Sequence, residues 1–219
     1  MTNLKNYFVL FFMLIIPLMP VSGQEIIGYD RDFAEQMQKN QVRLVVIRHG
    51  EGIHNINGIM TSSRSPGVYL TENGIEQVKQ SASELALHQV DFVYVSPMYR
   101  TLQTAQHLAM ILEVPHHKII VDDRLREQSF GDYEGYTWEE YESKFPTLEA
   151  FDQAAPNGET GFDVLARTHE FLRHIFERHP GQTVLLVTHG YNCSIISIGL
   201  TGNSKDHQTA GYAIYPPQG

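Results

Sequence analysis

Residues 42–51 read Val42-Arg43-Leu44-Val45-Val46-Ile47-Arg48-His49-Gly50-Glu51. The apolar part is short, rich in β-branched residues and does not alternate with polar ones, which is the pattern of a strand buried on both faces. It ends on an arginine, a histidine and a glycine, so one strand delivers two side chains able to carry positive charge to its carboxyl end. The same arrangement returns downstream. Phe92-Val93-Tyr94-Val95 is followed by Ser96-Pro97 and then Arg100. Ile119-Ile120-Val121 is followed by Arg124, Arg126 and Glu127, and Thr183-Val184-Leu185-Leu186-Val187 by Thr188, His189 and Gly190.

Helical patterns lie between these strands. Thr71 is an N-cap type, and Ile75, Val78, Ala82 and Leu85 follow at helical spacing. Ser96-Pro97 supplies a cap and a first-turn proline for a helix running to about Leu112. Thr160 caps a third helix, Gly161 to His179, and Ile195, Ile196 and Ile198 belong to a fourth. Strand and helix alternate, so the expected fold is a single α/β domain with a mostly parallel central sheet covered by helices on both faces. Asp122 to Glu159, aromatic and acidic, is expected to be a helical insertion over the carboxyl edge of the strands. Gly50 to Tyr69 is a long irregular stretch of the kind that usually carries function. Gln24 to Gln41 should wrap the surface, and Tyr212 to Tyr215 should form a last strand.

The bulk numbers agree with one globular domain: 219 residues, 42% hydrophobic and 19% charged. The formal net charge of −9 argues against a nucleic-acid partner, whose binding surface would be basic. At the amino end, Lys5 precedes a short apolar run from Tyr7 to Met19, broken by Pro17 and followed by Val21, Ser22 and Gly23. That is the pattern of a signal peptide, and the run is well short of the about 20 residues that span a bilayer. Residues 1–23 are therefore read as a signal peptide cleaved after Gly23, and residues 24–219 as the domain. The expected location is the periplasm or the medium, without stable membrane association after cleavage. Cys193 is the only cysteine, so no internal disulfide forms, and its place beside an apolar helix suits a small buried hydrophobe.

In an open α/β sheet, ligands bind beyond the carboxyl ends of the strands. Two histidines, at least two arginines and a carboxylate leave the sheet there, a set suited to phosphoryl transfer. Arginine grips phosphate oxygens with a planar fork and stays charged. A neutral imidazole attacks phosphorus once its other nitrogen is fixed by a hydrogen bond. A carboxylic acid protonates the leaving oxygen and then, as carboxylate, activates water.

Six local patterns, in order, resemble one family. Arg48-His49-Gly50-Glu51 with Asn55, Leu70-Thr71-Glu72 with Gly74 and Gln77, and Ser96-Pro97 with Arg100 and Thr104-Ala105 come first. Leu125-Arg126-Glu127 with Phe130-Gly131 and Glu134-Gly135, Gly158-Glu159-Thr160, and Thr188-His189-Gly190 complete the set. Together they resemble the histidine phosphatase superfamily in its phosphoglycerate-mutase-like branch, over about Val42 to Leu200. The resemblance implies that His49 is the phosphorylated nucleophile. Arg48, Arg100 and His189, the last as a cation, would surround the phosphoryl oxygens, with Asn55 adding a hydrogen bond. Glu127 would be the proton donor. No metal and no cofactor is implied, and the substrate would be a small phosphomonoester.

Other readings stay beside this one. A phosphoglycerate mutase is the nearest rival, although the stretch after Arg100 lacks further basic residues to hold a substrate carboxylate, and export would remove the enzyme from glycolytic intermediates. A protein phosphatase would need an open site. A non-catalytic module that binds phosphorylated ligands is the rival from another class. His54 could suggest a metal pair with His49, but the arginines would repel a cation. His116, His117, His169, His174, His179 and His207 read as solvated, and Tyr133, Tyr136, Trp138 and Tyr141 as packing for the insertion. Oligomeric state is not readable from the sequence.

Overall fold

The structure, a computed structural model, describes residues 13–15, 40–65, 67–86, 88–144 and 152–201. Its sheet holds β1 (Met13–Ile15), β2 (Arg43–Arg48), β3 (Phe92–Val95), β4 (Ile119–Val121) and β5 (Thr183–Thr188). The spatial order is β1-β2-β5-β3-β4. The last four strands in that order are mutually parallel. β1, from within the stretch read as a leader, pairs antiparallel along the outer side of β2 with Met13 opposite Ile47.

Alternate residues of the central strands point to opposite faces, and each face is sealed by its own helices. On one side Leu44, Val46, Tyr94, Val184 and Leu186 pack against Phe171, Leu172, Ile175 and Phe176 of α5 (Gly161–Arg178) and Ile195 and Ile196 of α6 (Gly190–Thr201). On the other, Val45, Ile47, Val93, Val95, Leu185 and Val187 pack against Val78, Ala82 and Leu85 of α2 (Glu72–Leu85) and Ala105, Leu108 and Ala109 of α3 (Tyr99–Ile111). Each such side chain contributes about 1.5–3 kcal/mol by leaving water, which is why the apolar runs dictate the strand assignment. Among the described residues no helix is long and apolar enough to cross a membrane.

The two threonine caps are as the sequence indicates. Thr71 accepts from the Gly74 N–H at 2.9 Å, and Thr160 forms a reciprocal capping box with Asp163. The expected cap at Ser96 differs: α3 begins after Met98, and Ser96 is drawn to a histidine described below. The segment after β4 is only partly helical. It carries single 3₁₀ turns at Asp123–Leu125 and Gly131–Tyr133 and one α-helix, α4 (Trp138–Lys144). Tyr141 and Phe130 pack with Met60 and Ala155, and Tyr133 joins them, so these aromatics do hold the segment down. Trp138 and Tyr136 stay part-exposed.

His179 is not solvated, as its polar neighbourhood suggested. It is 5% exposed, with Nε2 at 2.9 Å from the Tyr94 hydroxyl and Nδ1 at 2.9 Å from Gln182 Oε1. The helix end at Arg178 turns it inward under the sheet, a long-range effect invisible to local polarity. Cys193 is buried, and burial pushes its thiol up to about 12, which leaves it inert as a nucleophile. Most of residues 24–41, His207 and Tyr212 to Tyr215 lie outside the described residues.

Candidate active site

Strand register brings the site together. Arg48 stands opposite Thr188 and Val95 opposite Val187, so β2, β5 and β3 end level. The ladder continues one residue further, His49 N to Thr188 O and Ser96 N to Val187 O, both 3.0 Å. His49, Ser96 and His189 therefore leave the sheet side by side, and the His49 and His189 ring centroids are 5.2 Å apart.

The loop carrying His49 is pressed against two helices. Gly50 N donates to Thr104 Oγ1 at 3.2 Å and Glu51 N to Gln77 Oε1 at 2.9 Å. Thr71 Oγ1 donates to the Glu51 carboxylate at 2.6 Å. The approach is backbone to backbone: a Cβ at Gly50 would stand 2.5 Å from the Gly74 carbonyl oxygen, and one at Gly74 would overlap the backbone of Glu51. Thr71, Gly74, Gln77 and Thr104 thus serve the loop, a purpose their spacing alone did not reveal.

Arg100 ties the two histidines together. It is 1% exposed, and burial lowers its guanidinium to about 10, still charged at neutral pH. Its Nε donates to His49 Nε2 at 3.1 Å, and its Nη2 donates to the Thr61 carbonyl at 3.0 Å and to His189 Nδ1 at 3.1 Å. Its Nη1 is buried without a partner among the described residues. Because arginine only donates, both contacted imidazole nitrogens must be lone pairs. His49 accordingly carries its proton on Nδ1, which donates to the Gly50 carbonyl at 2.7 Å. His189 carries its proton on Nε2, facing Ser96 Oγ at 2.8 Å.

Electrostatics agree with these tautomers. Burial and then the Arg100 and Arg48 charges hold both imidazoles well below the ordinary histidine range. His189, expected as a cation around the phosphoryl group, here has Nδ1 turned to Arg100 and its ring fully buried.

Glu127 sits with Oε2 3.8 Å from His189 Nδ1, too far for a hydrogen bond. Burial raises its carboxyl above the ordinary value, against the pull of Arg100, the Gln128 N–H, Arg48 and Arg167. A carboxyl that keeps its proton to higher pH is suited to donating it. The backbone before it is held at every carbonyl. Arg167 Nη1 takes Arg124 O at 2.6 Å, Thr188 Oγ1 takes Leu125 O at 2.8 Å, and Asn192 Nδ2 takes Leu125 O at 3.0 Å and Arg126 O at 2.8 Å. Glu159 completes the support, paired with Arg126, with Arg167 at 3.1 and 3.2 Å, and with the Ser129 N–H at 3.0 Å. Arg167 and Asn192 were missed by sequence reasoning and carry no local signal.

The structure brings two buried imidazoles, a buried arginine and a buried carboxyl together at the strand ends, and the sequence matches accordingly. The profile of the Histidine phosphatase superfamily (branch 1) matches residues 44–210. The chain belongs to that superfamily. A 2,3-bisphosphoglycerate-dependent phosphoglycerate mutase of Brucella anthropi is 30% identical over 169 residues, covering 73% of this chain and 81% of the relative. A solved mycobacterial glucosyl-3-phosphoglycerate phosphatase superposes with a TM-score of 0.63 at 28% identity, over 70% of this chain and 79% of that one. A putative alpha-ribazole-5'-P phosphatase from Escherichia coli gives 0.62 at 27% identity, over 77% and 84%.

Further residues shape the site. Glu134 is wrapped by the turn that holds Arg100. Ser62 N lies 2.9 Å from both its oxygens, Ser62 Oγ donates at 2.7 Å, Ser63 N at 3.2 Å, and the Thr61 hydroxyl also donates to it. The Thr61 carbonyl is thereby aimed at Arg100. Asn55 uses its side-chain oxygen on the Gly52 N–H at 2.9 Å, holding the short α1 (Ile53–Ile56). Arg124 pairs with Asp122 and Glu170, and Arg126 with Asp123 and Glu159, so neither offers its charge freely to a ligand. Among the described residues no three of His, Cys, Asp or Glu gather as a metal-binding set.

Proposed function

We propose that this protein is exported and hydrolyses small phosphomonoesters through a phosphohistidine on His49. The observation that carries the reading is the neutral His49 ring, with Nδ1–H fixed on a carbonyl and the Nε2 lone pair held beside Arg100. In the first step that lone pair forms the N–P bond while the P–O ester bond breaks. Glu127 gives its proton to the leaving oxygen, so the product departs as an alcohol. In the second step the Glu127 carboxylate takes a proton from water, whose oxygen attacks phosphorus and returns the electron pair to Nε2. Arg48, Arg100 and His189 hold the non-bridging oxygens, and the dianion offsets the arginine charges that lower the His189 imidazole. Preorganised donors of this kind are each worth about 10²–10³ in rate.

Export rests on Lys5, the apolar run to Met19 and the small residues before the cleavage point after Gly23. Its test is the amino-terminal residue of the protein recovered outside the cytoplasm, expected to be Gln24. The chemistry is tested with p-nitrophenyl phosphate in EDTA, beside His49→Ala and with acid-quench-sensitive, base-stable phosphoenzyme trapping. Metal-independent turnover and label, both lost in His49→Ala, are expected. Turnover that survives His49→Ala would sink the mechanism. The Brucella relative favours a second reading, transfer between phosphoglycerates. Interconversion of 2- and 3-phosphoglycerate faster than phosphate release would support that reading instead.

A further inference from the structure

His54 is the part-buried titratable side chain beside the nucleophile that the steps above leave unused. Its ring centroid lies 5.4 Å from that of His49, much as His189 lies 5.2 Å away on its own strand end. The chain makes room for it. A Cβ at Gly52 would stand 2.7 Å from His54 Nδ1 and 2.8 Å from Cε1, so the imidazole fills the space a side chain at 52 would need. Asn55, spending its oxygen on the Gly52 N–H, holds the turn that presents the ring. Nδ1 is sealed from solvent and has no partner among the described residues. An unmatched lone pair costs less than an unmatched N–H, so the proton belongs on Nε2, away from Gly52.

We propose that His54 is a substrate-contacting residue that donates its Nε2–H to an oxygen of the phosphoryl group, a fourth donor beside Arg48, Arg100 and His189. The proposal rests on the phosphatase reading of this site. Burial and the two arginines push its imidazole down to about 3, so the ring contacts the ligand as a neutral donor. A neutral donor suits this position. It steadies charge on the phosphoryl oxygens in the transition state without adding a further full cation that would hold product phosphate in place.

The test compares His54→Phe, which fills the room under Gly52 but has no N–H, with His54→Gln, which keeps a donor. Inorganic phosphate binding is measured by calorimetry and kcat/KM with p-nitrophenyl phosphate. In His54→Phe, phosphate affinity is expected to fall at least tenfold and kcat/KM by about 10²-fold, the loss of one preorganised donor. His54→Gln should recover both to within about tenfold of wild type. Wild-type values in His54→Phe, or a Gln variant as poor as Phe, overturn the proposal. If His54→Phe does not fold, His54→Gln against His54→Ala carries the same comparison. Absence of phosphoenzyme in the wild type with the phosphate-affinity pattern intact would refute the covalent mechanism and leave the contact standing.

Discussion

Mild acid should destabilise the ligand-free protein more steeply than its surface carboxylates dictate. Three imidazoles, the buried His49 and His189 and the part-buried His54, are held below the ordinary histidine value, first by loss of water and then by Arg100 and Arg48. In the unfolded chain each binds a proton near pH ~6.5. In the folded chain they stay neutral, His54 down to about 3. Below pH ~6.5 the unfolded state therefore binds more protons, so stability is fullest above that value and falls as pH drops. Each linked proton is worth about 1.4 kcal/mol per pH unit, and three give about 4. Glu127 acts the other way, since burial raises its carboxyl, and lessens the slope. The imidazoles alone set up to about 4 kcal/mol per pH unit below roughly pH 6, against a usual domain stability of about 5–15 kcal/mol. Urea titrations in phosphate-free buffer at several pH values between neutrality and pH ~5, with a constant m-value, give the slope directly. Replacing Glu127 with Gln should steepen it. A slope below about 1.4 kcal/mol per unit would show that the imidazoles titrate freely and that burial does not set their charge.

Other perturbations follow from single contacts. Glu127→Gln should cost about 10²–10⁴ in turnover of alkyl phosphates and far less with p-nitrophenyl phosphate, whose leaving group needs no proton; equal losses would remove Glu127 from the donor role. Gly74→Ala should destabilise by about 1–3 kcal/mol and lower activity with it, since the new Cβ meets the Glu51 backbone; an unchanged urea midpoint would contradict that packing. Glu134→Gln, left with one acceptor oxygen for the Thr61–Ser63 turn, should lose about 1.5–3 kcal/mol of stability and at least tenfold in kcat/KM through Arg100, while an active, equally stable variant would detach the turn from the site.

What the sequence made legible was what local physics decides. β-branched runs can only be interior strands, Thr71 and Thr160 have few other uses than caps, and strand ends in a parallel sheet share one edge. His49, Arg100, Glu127 and His189 follow from that logic, and the structure places them together. What stayed hidden depends on partners far along the chain. Ser96 has every local mark of a cap, yet His189 lies 2.8 Å from its hydroxyl. Asn55, expected on the phosphoryl group, also accepts from the Gly52 N–H with its oxygen, and the neighbouring His54 lies beside His49, neither of which the sequence showed. His179 looked solvated until Tyr94 arrived from 85 positions away. Arg167 and Asn192 hold backbone carbonyls of the acid loop and belong to no recognisable motif.

The position of β1 bears on the life history of the chain. Cleavage after Gly23 would carry Met13–Ile15 away from β2, and among the described residues no other strand lies on that side. Precursor and processed protein would then differ at the strand that ends in the nucleophile. Newly bared amides and carbonyls on a Leu-Val-Val-Ile run form a template for a strand from another molecule. The leader would thus serve, while attached, as an intramolecular guard against self-association, and its removal would be the moment when the protein needs a substitute for it.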